Sequence, residues 1–255
     1  VLSVVFAFFM YETATRGAVL GALVGIVVGL IVLSIWSKKE DKTIRYSSIG
    51  ILLFLILSVS IFWLNRDTKL VQGNDILRRF ASISISETKT QARGYIWPMA
   101  IKGAFENKKT TIIGLGQENF NYVFNANYNP NMWRHEQWFD SAHNSYLDWL
   151  VAGGLLGLIA YLAVFISALY MIIRSDISIN KKATLLGVII AYGIQSIFTF
   201  DNLTSYLYFI IILSIIATPR STKLHNWISK IMLSNSNNYL IIRDYPYKQV
   251  VLILF

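Results

Sequence analysis

Long apolar runs divide this sequence and leave it few ways to fold. Residues 17–36, 47–64 and 147–173 each approach the ~20 apolar residues that an α-helix needs to cross a bilayer. A segment in hydrocarbon must satisfy its own backbone hydrogen bonds, and a helix does so within one segment. Hydrophobic residues make up 55% of the 255 residues and charged residues 15%, a composition that excludes a mainly water-soluble fold. The sequence therefore predicts an all-α, polytopic membrane helical bundle.

The shorter apolar runs and the polar stretches complete the expected domain order. Residues 1–10 are too short to span, so we expect the outer half of a helix whose start is missing. Residues 183–217 are too long for one helix and predict two short ones, separated at residues 200–202. The expected domains are transmembrane helices in 1–64, a mostly helical extracytoplasmic (periplasmic) loop domain in 65–145, three transmembrane helices in 146–217, and a cytoplasmic tail with an interfacial helix in 218–255.

Basic residues in the short connections set the expected orientation. Lys and Arg cluster in residues 38–45, 174–182 and 220–230, and the positive-inside rule makes that side cytoplasmic. Residues 65–145 then lie on the outer side, and a loop of that length is largely exempt from the rule. Membrane topology explains the net charge of +9 better than nucleic-acid binding does, because the sequence has no basic helix and no aromatic-basic RNA motif. The absence of cysteine excludes disulfides and thiolate chemistry.

Local patterns predict part of the outer domain. Residues 82–90 are rich in Ser and Thr and favour an extended or loop segment. Residues 92–105 favour a helix in which Arg93 and Trp97, four positions apart, share one face. Pro98 is tolerated best near a helix start, so the helix is expected to begin around residue 96 or to bend there.

Two glycine patterns indicate close backbone approach. Gly17, Gly21, Gly25 and Gly29 recur every four residues in the first complete span and predict a smooth face for helix packing. The second pattern, Gly114-Leu115-Gly116, follows an apolar pair at 112–113. We predict a strand-like segment there and then a plain glycine turn, because the third glycine of a phosphate-binding loop is missing.

A histidine at the edge of a predicted span is the main candidate for chemistry. His143 lies in the polar, aromatic-rich stretch 138–146, just before the apolar run that begins at Leu147. An imidazole at the boundary of water and lipid exchanges protons near neutral pH and can contact both a soluble and a lipid-bound reactant. The alternative from the sequence alone is an interfacial or helix-capping side chain.

Other polar and aromatic groups carry weaker signals. The residues His135, Glu136, Asp140 and His143 lack the spacing of a zinc-binding helix, so no metal site is expected. Nothing in the sequence pairs two of the carboxylates Glu118, Glu136 and Asp140 for glycoside hydrolysis. Asp201 and Asn202 suit a cap of the last helix, with a polar substrate contact as the alternative. Sugar stacking and an interfacial aromatic belt explain equally well the group Trp133, Trp138, Phe139, Tyr146 and Trp149.

Several of these residues occur in an order that resembles a known family. The sequence has Thr15-Arg16-Gly17 before a span, Arg93 with Trp97 in an outer loop, Gly114-x-Gly116 with Asn119-Phe120, and His143-Asn144 before the glycine-rich stretch 153–157. This order, over roughly residues 10–218, resembles the O-antigen ligase and polymerase superfamily.

The resemblance implies a membrane glycosyltransferase of the GT-C type in a bacterial cytoplasmic (inner) membrane. The implied donor is a glycan on polyprenyl pyrophosphate, such as undecaprenyl pyrophosphate, and the acceptor is a glycan, lipid or protein hydroxyl. His143 is the implied base, because a sugar hydroxyl is a poor nucleophile near pH 7. Arg16 and Arg93 match the family arginines and are expected to bind the pyrophosphate, with no metal or other cofactor. Family members have ten or more spans, so this chain is expected to be the C-terminal part of a longer protein.

Alternatives remain open at this stage. Arg16 also suits an interfacial anchor, and Arg93 also suits a solvated helix face. The same arginines would serve a flippase or transporter of lipid-linked oligosaccharides, although the inverted repeats typical of transporters are not evident. A third possibility is an inactive fragment of the transferase. Ligase, polymerase and protein glycosyltransferase share their donor and differ in acceptor, so the sequence does not separate them.

Overall fold

A computed structural model shows helices connected by turns and loops. It describes residues 2–13, 15–37, 41–82, 92–135 and 137–217, so the expected interfacial helix in the tail and most of the expected extended segment 82–90 lie outside the described residues. The α-helices are α1 (Leu2–Glu12), α2 (Arg16–Trp36), α3 (Lys42–Leu64), α4 (Lys69–Gln72), α5 (Asp75–Ala81), α6 (Ala92–Ala104), α7 (Lys108–Ile113), α8 (Phe120–Ala126), α9 (Ser145–Arg174), α10 (Ile179–Gln195) and α11 (Leu203–Ala217), with a 3-10 helix at Pro130–Arg134. The described residues contain no strand, which confirms the all-α prediction.

Three helices, α2, α3 and α9, are long and apolar enough to cross a membrane. Large apolar side chains of α3 point away from the protein, with Phe54 67% exposed and Leu57 60% exposed. Such side chains would be costly in water and are ordinary in contact with lipid. The apolar run 183–217 is divided between α10 and α11, which are separated by residues 196–202. Both are shorter than the three long helices, and their crossing of the membrane stays a prediction.

The glycine face of α2 packs directly against α10. A Cβ atom at Gly21 would lie 2.6 Å from the carbonyl oxygen of Ala191, and one at Gly187 would lie 2.6 Å from the carbonyl oxygen of Gly25. At Gly29 the corresponding distance to the carbonyl oxygen of Ala183 is 3.2 Å. Backbones this close leave no room for side chains. The predicted packing role of the four-residue glycine repeat is therefore confirmed.

A break in α9 holds the second glycine pattern. Gly154 has φ 63° and ψ −158° inside the helix. Since a helix break leaves carbonyls without intrahelical partners, other donors must satisfy them. The amide of Leu115 donates to the carbonyl of Val151, and the amide of Gly116 donates to the carbonyl of Ala152, both at 2.9 Å. The glycine turn therefore docks onto the kinked helix.

One local prediction in the outer domain was wrong and another was confirmed only in part. The pair Ile112-Ile113 ends helix α7 and is not strand-like, because Asn107 caps that helix in a reciprocal capping box with Thr110. The helix predicted over residues 92–105 is confirmed, since α6 begins at Ala92 and contains Pro98 in its interior. It does not start near residue 96, and the alternative of a bend there stays a prediction. Its buried residues Ile96 and Ala100, both 0% exposed, belong to the apolar core that α6, α8 and the start of α9 share. This packing outweighs the local cost of the proline.

Candidate functional site

The turn between α10 and α11, residues 196–200, collects contacts from distant parts of the chain. The amide of Ser145 donates to the carbonyls of Ser196 and Thr199 at 2.9 and 3.0 Å, and the Ser145 hydroxyl also donates to the Thr199 carbonyl at 3.0 Å. Ser145 is the first residue of α9 and is only 1% exposed. These three hydrogen bonds fix the start of α9 against the turn.

His143 lies two residues before α9 and packs on the same turn. Its ring meets the rings of Phe139 and Phe200 edge-on, with centroids 5.5 and 5.2 Å away. Its Nδ1 is 3.1 Å from the hydroxyl oxygen of Ser141, a contact that either tautomer can make. The described residues provide no hydrogen bond to Nε2. The ring is therefore held at one nitrogen and between two aromatic rings.

His143 does not cap the helix that follows it. The side chain of Asn144 accepts hydrogen bonds from the amides of Tyr146 and Leu147, so Asn144 is the cap. His143 itself has φ 53°, a left-handed backbone conformation that is uncommon for a residue with a side chain. The helix-capping alternative for His143 is thus excluded, because its neighbour performs that role.

Arg93 reaches the turn from α6. One of its terminal nitrogens donates to the carbonyl of Phe198 at 2.9 Å, while its Nε is enclosed and has no hydrogen-bond partner in the described part of the chain. Burial lowers the pKa of Arg93, and the positive charge of Arg16 lowers it further. Arginine has such a high intrinsic pKa that it stays cationic at neutral pH. Two guanidinium groups are therefore close enough to repel each other.

Trp97 connects the same face of α6 to the histidine segment. Its indole nitrogen donates to the carbonyl of Ala142 at 3.1 Å, next to His143. The shared face predicted for Arg93 and Trp97 is confirmed, since both side chains act on adjoining loops. Arg93 is half-buried, so a fully solvated helix face does not describe it.

Arg16 begins α2 close to this region. One of its terminal nitrogens donates to the hydroxyl of Ser82 at 2.9 Å, just after α5. The following residue, Gly17, faces Phe198 so closely that an added Cβ atom would lie 2.7 Å from the Phe198 Cβ. The 196–200 turn thus receives the start of α2, Arg93 and the ring of His143. No hydrogen bond within the described residues joins His143 directly to either arginine.

An acidic cleft of about 330 Å³ opens beside His143. We use the name acidic cleft for the space bordered by four carboxylates, four aromatic residues and the polar loop 116–119. The carboxylates are Glu118, Asp140, Asp148 and Asp201, and the aromatic side chains include Trp149, Phe200 and Tyr206. Ser141, which contacts the His143 ring, also lines it. The described residues that line this cleft include no Lys, Arg or His.

Asp201 and Asn202 have different roles. The Asn202 side chain accepts from the Ser205 amide and the Ser205 hydroxyl accepts from the Asn202 amide, both at 2.9 Å, so Asn202 caps α11 as predicted. Asp201 does not cap it. The hydroxyls of Tyr161 and Tyr192 donate to its two carboxylate oxygens at 2.9 and 2.6 Å, which fixes the carboxylate at the cleft.

The other residues considered from the sequence are dispersed. The ring of His135 lies against Tyr95 at 5.8 Å, and Glu136 lies outside the described residues. No three His, Asp or Glu side chains among the described residues are grouped to hold a metal. Of the five aromatic residues, Trp133 and Trp138 are exposed, Phe139 is buried, Tyr146 donates to the Gly193 carbonyl, and Trp149 borders the acidic cleft.

Comparison with known proteins identifies the family. The family model described as O-Antigen ligase matches residues 1–162, a range that includes Arg16, Arg93 and His143. No curated protein and no solved structure matches the chain. Because the family model covers more than half of the 255 residues, this membrane protein belongs to the O-antigen ligase family, as the resemblance in its sequence predicted.

Proposed function

We propose that this protein transfers a glycan from polyprenyl pyrophosphate to an acceptor hydroxyl, with His143 as the base and Arg16 and Arg93 as the pyrophosphate-binding residues. The main support is the convergence on the 196–200 turn, where Arg93 binds the Phe198 carbonyl and His143 packs against Phe200. The family match adds the expectation of glycosyl transfer.

In this proposal, His143 accepts the proton of the attacking hydroxyl. If Nδ1 carries the ring proton and donates it to the Ser141 hydroxyl oxygen, Nε2 presents a lone pair. The acceptor O–H transfers its proton to Nε2 while its oxygen attacks the anomeric carbon of the donor. The bond from that carbon to the pyrophosphate oxygen breaks, so the lipid leaves as a pyrophosphate anion.

The arginines would stabilise that leaving anion. A guanidinium group binds phosphate oxygens through parallel N–H donors and keeps its charge even when partly buried. Two mutually repelling cations gain most from a shared dianionic ligand, and the lowered pKa of Arg93 reports that repulsion together with burial. The Nε–H of Arg93 is enclosed and has no partner in the described structure, so an anion that reached it would satisfy a donor that is otherwise unpaired.

The proposed setting is the outer face of a bacterial cytoplasmic membrane. Arg16 lies at the first residue of a helix long enough to cross the membrane, so its charge lies near the depth of lipid phosphates if α2 spans. Residues 65–145 would then form an extracytoplasmic domain over the site, residues 146–217 would add the last three spans, and residues 218–255 a cytoplasmic tail. The polyprenyl chain would stay in the bilayer while its pyrophosphate reaches the arginines.

The direct test is transfer in reconstituted membranes. The protein in lipid vesicles is incubated with a defined polyprenyl-pyrophosphate oligosaccharide and three acceptors: lipid A core, a second lipid-linked chain and a protein. We expect product on one acceptor, loss of product in His143→Ala, and weakened donor binding in Arg93→Ala. Full activity of correctly folded His143→Ala would refute the base assignment. Movement of the donor across the bilayer without product would instead identify a transporter.

A further inference from the structure

The acidic cleft has a charge opposite to that of the arginine site. Its described lining contains four carboxylates and no basic side chain, whereas Arg16 and Arg93 are not part of that lining and lie close enough for their charges to interact. A pyrophosphate would be attracted to the arginines and repelled by the cleft. The two surfaces are thus suited to different reactants.

The chemistry of the cleft suits a sugar. Carboxylates and amides accept hydrogen bonds from sugar hydroxyls, and an aromatic ring offers an apolar surface for a sugar face. Asp201 is fixed by two tyrosine hydroxyls, and Trp149 is stacked on the Tyr161 ring at 5.5 Å. Both groups are therefore held in place before a ligand arrives, which lowers the cost of binding.

Asp148 offers a hydrogen-bond acceptor that the protein does not use. Its Oδ1 accepts from the amide of Ala142 at 2.6 Å. Its Oδ2 is enclosed and has no hydrogen-bond partner in the described residues. An enclosed carboxylate oxygen without a donor is costly, and a sugar hydroxyl or amine that reached it after a local shift of the lining would relieve that cost.

Backbone geometry also marks this region. Among the described residues, only Glu118 and His143 have positive φ without being glycine, at 63° and 53°. Glu118 lines the cleft, and His143 contacts both Ser141 and Phe200 in its wall. Residues with such strained backbone conformations are concentrated at active sites and ligand-binding sites.

We propose that the acidic cleft binds the acceptor sugar and selects a neutral or amino sugar over a phosphorylated one. This inference rests on the proposed glycosyl transfer, which requires the acceptor hydroxyl beside His143. The cleft and the base share a wall, so a sugar in the cleft can present a hydroxyl to the ring. A divalent cation fits less well, because no three of the described acidic or histidine side chains are grouped as metal ligands.

Two variants remove charge from the cleft with little structural change. Asp148→Asn keeps a carbonyl oxygen for the Ala142 amide and places its amide NH2 group where Oδ2 has no hydrogen-bond donor. Glu118→Gln alters an exposed side chain at the rim. Glu106→Gln is the matched control, because Glu106 is exposed, lies outside the cleft lining and makes no side-chain hydrogen bond or ion pair with the described residues.

Binding is measured by saturation-transfer NMR on the protein in lipid nanodiscs. The probes are glucose, glucosamine and glucose 6-phosphate, and transfer activity is recorded on the same preparation. We expect the wild type to bind glucosamine and glucose more tightly than glucose 6-phosphate. Asp148→Asn should reduce this preference about tenfold and Glu118→Gln about threefold, while Glu106→Gln leaves it unchanged. A merely structural role would weaken all three sugars equally.

The remaining outcomes separate this inference from the proposed function. Equal binding of glucose 6-phosphate, an unchanged preference in both cleft variants, or no sugar signal in an active preparation would each overturn the acceptor site. A charge-dependent sugar signal in a well-folded protein that transfers nothing to any acceptor would refute glycosyl transfer. In that case the cleft would still be a sugar-binding site, but the sugar it binds would not be an acceptor.

Discussion

Replacing Gly154 with alanine should disrupt the junction between the kinked helix α9 and the 114–116 turn. At φ 63° and ψ −158°, Gly154 occupies a backbone region that is essentially restricted to glycine, and other residues there cost about 1–3 kcal/mol. An added Cβ atom would also lie 2.5 Å from the carbonyl of Ile112, so the two segments must move apart. Moving them apart weakens the two hydrogen bonds that join the turn to α9, at about 0.5–1.5 kcal/mol each. The total loss is about 2–6 kcal/mol.

The measurement is thermal unfolding in nanodiscs, with Gly50→Ala as the control. Gly50 lies in the helix α3, and a Cβ atom there would have no neighbour within 4 Å. Alanine at Gly50 should leave stability unchanged or raise it by up to about 1 kcal/mol, through helix propensity. Gly154→Ala should lower the melting temperature by roughly 5–20 °C. If Gly154→Ala is as stable as Gly50→Ala, the contact between Gly154 and the 112–116 segment does not contribute to stability as predicted.

The partner glycine gives an independent check. Gly114 has φ 71° and faces the backbone of Ala152 with no room for a Cβ atom. Gly114→Ala should therefore destabilise the protein by an amount similar to Gly154→Ala. Because both changes separate the same two segments, the double variant should lose less stability than the sum of the single losses. Strict additivity would mean that the two glycines act independently.

Three further predictions concern packing and the site. Gly25→Val should destabilise the protein by several kcal/mol, because the α10 backbone leaves no space for a side chain; unchanged thermal stability would contradict this. Trp97→Phe should lower the free energy of unfolding by about 1–3 kcal/mol, because the buried Ala142 carbonyl loses its hydrogen-bond donor. Because Ala142 adjoins His143, the same change should slow glycan transfer more than it weakens donor binding. Arg93→Lys should weaken donor binding about tenfold or more, since lysine lacks the planar fork; wild-type affinity in a titration would refute the pyrophosphate role.

The sequence predicted those parts of the fold that depend on local periodicity. Apolar runs gave the long helices, and the four-residue spacing from Gly17 to Gly29 predicted the contact face of α2. The pair Arg93 and Trp97 was placed on one face because helical spacing requires it. Each of these predictions uses residues within one element, where geometry is fixed by the helix itself.

The wrong predictions came from short segments in which two signals compete. Ile112 and Ile113 are β-branched and apolar, but the cap formed by Asn107 and Thr110 begins a helix just before them. The signal that could have identified this helix is the capping-box spacing: Asn107 is followed three positions later by Thr110, whose hydroxyl accepts a hydrogen bond from the Asn107 amide. A helix start near residue 96, one of the two effects predicted for Pro98, did not occur, because the core packing of α6 is a tertiary effect that no local rule contains.

The acidic cleft was not predicted because its members are far apart in sequence. Asp201 receives hydrogen bonds from Tyr161 and Tyr192, and neither tyrosine has a distinctive local pattern. Glu118 and Asp140 were considered as a carboxylate pair, yet nothing in the sequence indicated that both border one cleft. A cluster of this kind becomes visible only when α9, α10 and α11 are packed together.

The role of the 196–200 turn as a contact point could not be predicted from the sequence, for a different reason. Arg93 binds the main-chain carbonyl of Phe198, and Ser145 binds the main-chain carbonyls of Ser196 and Thr199. Every residue has a main-chain carbonyl, so hydrogen bonds to these carbonyls require no particular side chains and produce no sequence motif in the turn. The family match, which ends at residue 162, includes the donors Arg93 and Ser145 but not the turn that accepts from them. The residues proposed for chemistry thus belong to the part that the family model matches, while their relative positions depend on the backbone carbonyls of the turn and on the rings of Phe198 and Phe200. Altering the path of the turn should therefore impair the site more than exchanging its solvent-facing side chains.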